Sequence, residues 1–162
     1  MADVVTPEVR SRMMSGIRGR NTRPEKLVRS ALFAAGLRFR LHRRDLPGRP
    51  DLVLAKWRTA VFINGCFWHA HPDCRFFRIP KSRRSFWVKK LGANRSRDAT
   101  CTAALVSQGW KVVTVWDCAL RADPAVTLNL LQHAIRNCPA LEKWDIRESS
   151  GRLGKIELIK TA

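Results

Sequence analysis

The stretch from Val61 to Cys74, VFINGCFWHAHPDC, limits this chain most tightly. An apolar run of strand length ends at Asn64-Gly65. Two cysteines, two histidines and a Phe-Trp pair follow directly. Cysteine and histidine at this density can build a metal site that pins the loop to the sheet. An aromatic pair beside it can stack on bases. Upstream, LPGRPDLVL offers a single carboxylate, Asp51, at the head of a second apolar run.

The flanking pattern predicts one α/β domain. Thr22-Arg23-Pro24-Glu25 carries the marks of a helix start, with Thr22 as N-cap, Glu25 as its partner and proline in the first turn. Leu27, Val28, Ala31, Leu32 and Ala35 recur at helical spacing up to Gly36. Residues 37–42, LRFRLH, alternate like a half-exposed strand. Residues 51–55 and 59–63 read as a hairpin at the centre of a sheet. Residues 82–108 suit a basic helix, with Gly92 a break point and Gly109 its cap. WKVVTVW, residues 110–116, is the clearest strand, and residues 124–137 form a further helix. The order α-β-β-β-α-β-α predicts a mixed sheet covered by helices. Residues 1–20 read as a basic arm or short helix, 21–137 as the main domain and 138–162 as a mixed, loosely ordered tail.

Charge narrows the partner. Lys and Arg number 31 against 13 Asp and Glu, a net charge of +18 over 162 residues. That excess calls for a polyanion, and nucleic acid fits because phosphate contacts release condensed counterions. The basic residues are spread along the chain rather than gathered on one amphipathic face, and no run is apolar enough to span a bilayer, so no membrane partner is expected. Five cysteines, an odd count, favour metal ligation or free thiols in a reducing compartment such as the cytoplasm.

Within this frame the reactive residues have competing readings. Cys66, His71, Cys74 and Cys118 form a closed zinc set if the strands before them are neighbours. Otherwise Cys66 and Cys118 are ordinary buried cysteines. Cys101 and Cys138 read as packing or surface thiols. Asp51 is a hard-oxygen ligand suited to Mg²⁺, or the capping aspartate of a turn. His69 is a general base, or it exchanges places with His71 as the metal ligand. Phe67, Trp68 and Trp87 are wedges or core aromatics. In an extended loop, Phe67 and Trp68 would point different ways. Glu25 is accounted for by the helix cap, and Asp98 by a surface ion pair.

Taken together, NTRPEKLVRSAL, LPGRPDLVL, GCFWHAHPDC, SFWVKKLGANRSRD and WKVVTVWDCAL, in that order between Thr6 and Leu120, resemble the very-short-patch-repair (Vsr) DNA mismatch endonucleases. The resemblance implies a restriction-endonuclease-like fold and Mg²⁺-dependent nicking of double-stranded DNA, 5′ to the thymine of a T:G mismatch. It implies that Asp51 and the carbonyl of Ile63 hold Mg²⁺, that His69 is the catalytic histidine oriented by Asp98, and that Glu25 is an accessory acid. Cys66, His71, Cys74 and Cys118 match structural zinc ligands. Phe67, Trp68 and Trp87 match aromatics inserted beside the mismatch, and Met14 and Lys90 match DNA contacts. A monomer suffices for a single-strand nick, and other mismatch-repair proteins are the expected partners. Two departures stand out. Asn64 replaces a histidine of some members, and the loop between His71 and Cys74 is one residue longer than the shorter family form. The rival functions are a restriction-type nuclease with another target and a non-catalytic zinc-stabilised DNA-binding module.

Overall fold

In the computed structural model, which describes residues 6–16, 19–149 and 154–162, the Thr22 signal forms a helix start. The Thr22 hydroxyl accepts the Glu25 N–H, and the Glu25 carboxylate reaches back to the Thr22 N–H, closing a capping box. Helix α2 runs from Arg23 to Ala34, preceded by α1 (Pro7–Ser15). Met1 to Val5, Ile17 and Arg18 of the expected N-terminal arm lie outside the described residues.

Six strands form one sheet in chain order: β1 (Arg40–Leu41), β2 (Leu52–Leu54), β3 (Thr59–Asn64), β4 (Lys111–Trp116), β5 (Lys143–Glu148) and β6 (Ile156–Thr161). The expected hairpin is β2–β3, antiparallel with Val53 opposite Ala60. A 3₁₀ turn, Ala55–Trp57, joins its strands, and Arg58 takes the left-handed conformation that reverses the chain. Helix α3 (Arg84–Ser107) then crosses over and delivers β4 parallel to β3, with Val61 opposite Val113. It runs without a break through Gly92. All six residues of β4 are buried, as expected of a central parallel strand covered on both faces.

The tail is the main correction. Residues after Cys138, expected to be loosely ordered, supply β5, parallel to β4, and β6, antiparallel to β5. Their alternation is interrupted by charge, as in KWDIRE, so the strand signal is weak. The partner strand supplies the missing half of the pattern. The LRFRLH strand shrinks to the two residues of β1. Past β4, the chain turns at once into α4 (Asp117–Ala122) and then α5 (Pro124–Asn137).

Helices cover both faces. Val28 and Leu32 of α2 and Leu131 and Ile135 of α5 pack on Leu52, Val61, Val113 and Ile146. On the other face Leu105 of α3 packs on Val53, Ala60 and Val112. Lys111, 3 % exposed, tethers these layers. Its Nζ donates to the carbonyls of Ala134, Ile135 and Cys138 at 2.8, 2.8 and 2.6 Å, closing the C-terminus of α5.

Candidate active site and metal centre

Asp51 is placed by the turn before it. Gly48 has φ +73°, and a Cβ there would lie 2.9 Å from the Cys101 Cβ, so only glycine lets the turn press against α3. The chain then enters β2 with the Asp51 Oδ2 accepting the Ile63 N–H at 2.7 Å. Glu25 and His42 stand beside it, and one donor atom from each of the three lies within 4.8 Å of the others. Glu25 is only 4 % exposed. Its Oε2 accepts from Arg29 at 2.5 Å and from the Asn21 N–H at 3.0 Å. Burial raises the Asp51 carboxyl to about 6, against the pull of the Ile63 N–H, with the Glu25 charge adding to the rise. Such a carboxyl holds its proton more tightly than a free one, and a bound cation would displace that proton and favour the charged form. With Glu25 beside it, it forms a hard-oxygen corner suited to a divalent ion.

The second reactive group faces the same cleft. His69 Nδ1 meets Asp98 Oδ2, carried on α3, at 2.6 Å. An ionised carboxylate can only accept, so it holds the proton on Nδ1 and leaves Nε2 as the basic nitrogen. The loop that carries His69 is wound tight: the His69 N–H donates to Gly65 O and the His71 N–H to Cys66 O. Glu25, Asp51, His69 and Asp98 line one cleft of about 1200 Å³, whose walls also bear Arg49 and Arg95. That volume exceeds the usual range for a small-molecule site and suits a segment of polymer.

Behind the loop the four expected ligands converge. Cys66, His71, Cys74 and Cys118 place their donor atoms within 4.8 Å of one another. His71 Nδ1 and Cys118 Sγ are 3.6 Å apart. A tetrahedron with arms of about 2.3 Å has edges of about 3.8 Å, so the donor set fits a zinc-sized ion. Cys118 arrives from the first turn of α4, and its Sγ accepts the Glu148 N–H of β5 at 3.5 Å. Hydrogen bonding from Cys66 and His71 holds the Cys118 thiol down at about 4, despite burial. The Cys66 thiol is pushed up by its bond to Cys118 and by burial. The hydrogen bond between the two thus favours a thiolate at Cys118, the form a metal takes. His71 stacks on Trp116 at 4.0 Å and 9°, which fixes its ring plane.

Phe67 and Trp68 do not point apart. The loop is a turn rather than an extended segment, so their rings meet edge to face at 5.1 Å. Trp87 of α3 joins at 5.2 Å from Phe67 and 6.1 Å from Trp68. Lys90 lies over Trp68 and Trp87 at 5.6 and 5.7 Å. Met14 falls within α1, and its side chain lies outside the described residues.

Four neighbours were not singled out from sequence. His42 and Arg29 complete the Asp51 corner. Asn94 donates to the Trp68 carbonyl at 2.9 Å and ties the loop to α3. Phe86 adds a fourth ring, 5.3 Å from Trp87. Phe86 was visible beside Trp87, and Asn94 lies on the same helix as Asp98. Nothing local marked Arg29 or His42, whose roles depend on a distant fold contact.

The chain matches the family model described as DNA mismatch endonuclease Vsr over residues 2–75. It is 48 % identical over 137 residues to the type II nicking enzyme V.XorIIP of Xanthomonas oryzae pv. oryzae, covering 85 % of this chain and 96 % of that protein. It is 41 % identical over 144 residues to the DNA mismatch endonuclease Vsr of Escherichia coli, covering 89 % and 88 %. The type II nicking enzyme V.NmeAIP of Neisseria meningitidis is 40 % identical over 136 residues, covering 84 % and 96 %.

Proposed function

The chain belongs to the Vsr family of DNA endonucleases, and on that premise we propose that it nicks one strand of duplex DNA 5′ to the thymine of a T:G mismatch. The observation that carries the reading is the His69–Asp98 pair opening on the same cleft as Asp51 and Glu25.

Asp51 and the carbonyl of Ile63 would hold Mg²⁺, which when bound supplies positive charge to the scissile phosphate and the leaving 3′-oxygen. The Ile63 N–H fixes the Asp51 carboxylate from behind. Asp98 holds the proton on His69 Nδ1, so Nε2 takes the proton of the attacking water. Glu25, buried and tied to Arg29, would orient water beside Asp51. Cys66, His71, Cys74 and Cys118 would hold a structural Zn²⁺, whose part is to lock the loop that carries His69.

Phe67, Trp68 and Trp87 enter the base stack at the mismatch, a wobble pair being cheaper to deform than a matched one. Lys90 and Met14 contact the DNA beside it. The arginines of the cleft fix the duplex through its phosphates. One chain carries the whole site, so a monomer acts. Its setting is the cytoplasm, with other mismatch-repair proteins as partners.

The test uses two end-labelled duplexes, identical except for one T:G pair, with Mg²⁺. A nick 5′ to the mismatched thymine, absent from the matched duplex and from Asp51→Ala, supports the proposal. Cleavage of both duplexes replaces it with a restriction-type nuclease. Binding without cleavage in several flanking sequences replaces it with a non-catalytic zinc-stabilised module.

A further inference from the structure

His42 has no part in the mechanism above, yet it is held at considerable cost. It has φ +46°, in the left-handed region that a non-glycine residue occupies only where its surroundings enforce it. It directly follows β1, and its N–H donates to the Asp51 carbonyl at 3.4 Å. The ring therefore turns inward. Its Nδ1 lies 3.8 Å from Asp51 Oδ1, and its Nε2 lies 3.8 Å from Glu25 Oε2 and 3.1 Å from an Arg29 guanidinium nitrogen.

The Arg29 contact decides the tautomer. A guanidinium only donates, so His42 Nε2 must accept, and the proton of the neutral ring sits on Nδ1. Arg29 is itself fixed by Asn21 Oδ1 at 2.6 Å and Glu25 Oε2 at 2.5 Å. We propose that His42 is a positioning residue for Asp51, its tautomer set by Arg29 so that the Nδ1–H is directed at Oδ1 while the Ile63 N–H holds Oδ2. The inference rests on the nuclease reading of this site and adds a residue to it.

At 3.8 Å the Nδ1–Oδ1 gap is wider than a direct hydrogen bond. A small ring rotation closes it, and such contacts tighten when the reacting complex forms. With both oxygens held from the protein side, the remaining lone pairs of Asp51 face the cleft. A ligand role for His42 does not fit the same geometry. Nδ1 carries the proton, and a cation on Nε2 would face the Arg29 charge.

Two measurements test this. In protein labelled with ¹⁵N-histidine, two-bond ¹H–¹⁵N spectra, with His42 assigned through His42→Gln, should show a protonated Nδ1 and a bare Nε2. An Nε2–H tautomer would overturn the proposal.

Single-turnover nicking and calorimetric Mg²⁺ binding are then compared for wild type, His42→Gln and His42→Leu. The glutamine amide can accept from Arg29 and donate to Asp51, so this variant should stay within about threefold of wild type. The leucine variant should lose roughly 10- to 100-fold in rate or Mg²⁺ affinity, as supporting residues of metal sites do, with unchanged affinity for mismatched duplex. Equal behaviour of His42→Leu and wild type sinks the idea, as does equal loss in both variants. So does ¹⁴N coupling to bound Mn²⁺ that disappears in His42→Gln, which would make His42 a ligand. If wild type itself fails to nick, the nuclease reading falls, and the tautomer spectrum still decides whether Arg29 sets His42.

Discussion

Asp51 holds its proton more tightly in the folded chain than in the unfolded one, because burial raises its carboxyl from 3.8 to about 6. Between those values the folded protein binds a proton that the unfolded chain has released, so stability falls as pH rises through that window. Above it a deficit of roughly 2–3 kcal/mol persists. Asp51→Asn keeps the acceptor for the Ile63 N–H and removes the buried charge. Without divalent ions it should raise the melting temperature at pH 8 by about 5 °C, change little at pH 4, and abolish nicking. Thermal melts at the two pH values with EDTA, together with the nicking assay, check this. An Asp51→Asn melt no higher than wild type at pH 8 would mean that the carboxylate is not strained by burial. Cation binding displaces the same proton, so Mg²⁺ affinity should weaken by up to about tenfold per pH unit below pH 6, readable by calorimetry.

At the scale of elements, the loop and α4 are joined through the Cys66–His71–Cys74–Cys118 cluster. Cys118→Ser should lower bound zinc, measured by elemental analysis, and cost about 4 kcal/mol, or roughly 10 °C in melting temperature. Its nicking should fall further than its duplex binding, because His69 rides on the same loop. Zinc content and melting equal to wild type would show the cluster to be plain packed thiols. Lys111 makes the opposite case. Lys111→Met strands three carbonyls at the end of α5 and should cost about 2–4 kcal/mol. Nicking at 20 °C should be unaffected, since the lysine does not line the cleft. Chemical denaturation measures the first and the duplex assay the second.

These elements also show where the sequence was readable. The Thr22 capping box, the hairpin before the loop, α3 and α5 all carry local signals: a cap, a period, a glycine with positive φ. The strands β5 and β6 do not. KWDIRE places charges at positions that only a neighbouring strand makes sense of, and the pairing of Trp144 with Lys160 has no local cue. Helix α4 escaped notice because it begins immediately after β4, without a turn residue. Within the site, the residue types Asp51, His69 and the cysteine set were visible from density and spacing. The contact of Arg29 with His42 brings α2 to the end of β1, and no spacing rule reports it.

The whole molecule carries +18 at neutral pH, and its cleft gathers arginines from several elements. No helix among the described residues is long and apolar enough to cross a membrane. If six to ten phosphates are neutralised, duplex affinity should fall by about 10³- to 10⁵-fold between 50 and 200 mM salt. If the mismatch adds base contacts rather than phosphate contacts, matched and mismatched duplexes should show the same slope. Fluorescence anisotropy across a salt series measures both. A steeper slope for the mismatched duplex would mean that recognition recruits further cations.

The aromatic cluster has an energetic consequence of its own. Phe67, Trp68 and Trp87 already lean on one another in the free protein, at ring separations of 5.1 to 6.1 Å. A ring that slides between two bases therefore trades one π-neighbour for another, and only its still-exposed part leaves water for the first time. Such a swap is close to neutral for the protein. On the mismatch reading the balance is then left to the nucleic acid, and a wobble pair, easier to deform than a matched one, would be the place where the trade goes forward. A wedge stored in this way would act as a gauge of how easily the helix opens, with its selectivity set by the looseness of the pair it enters.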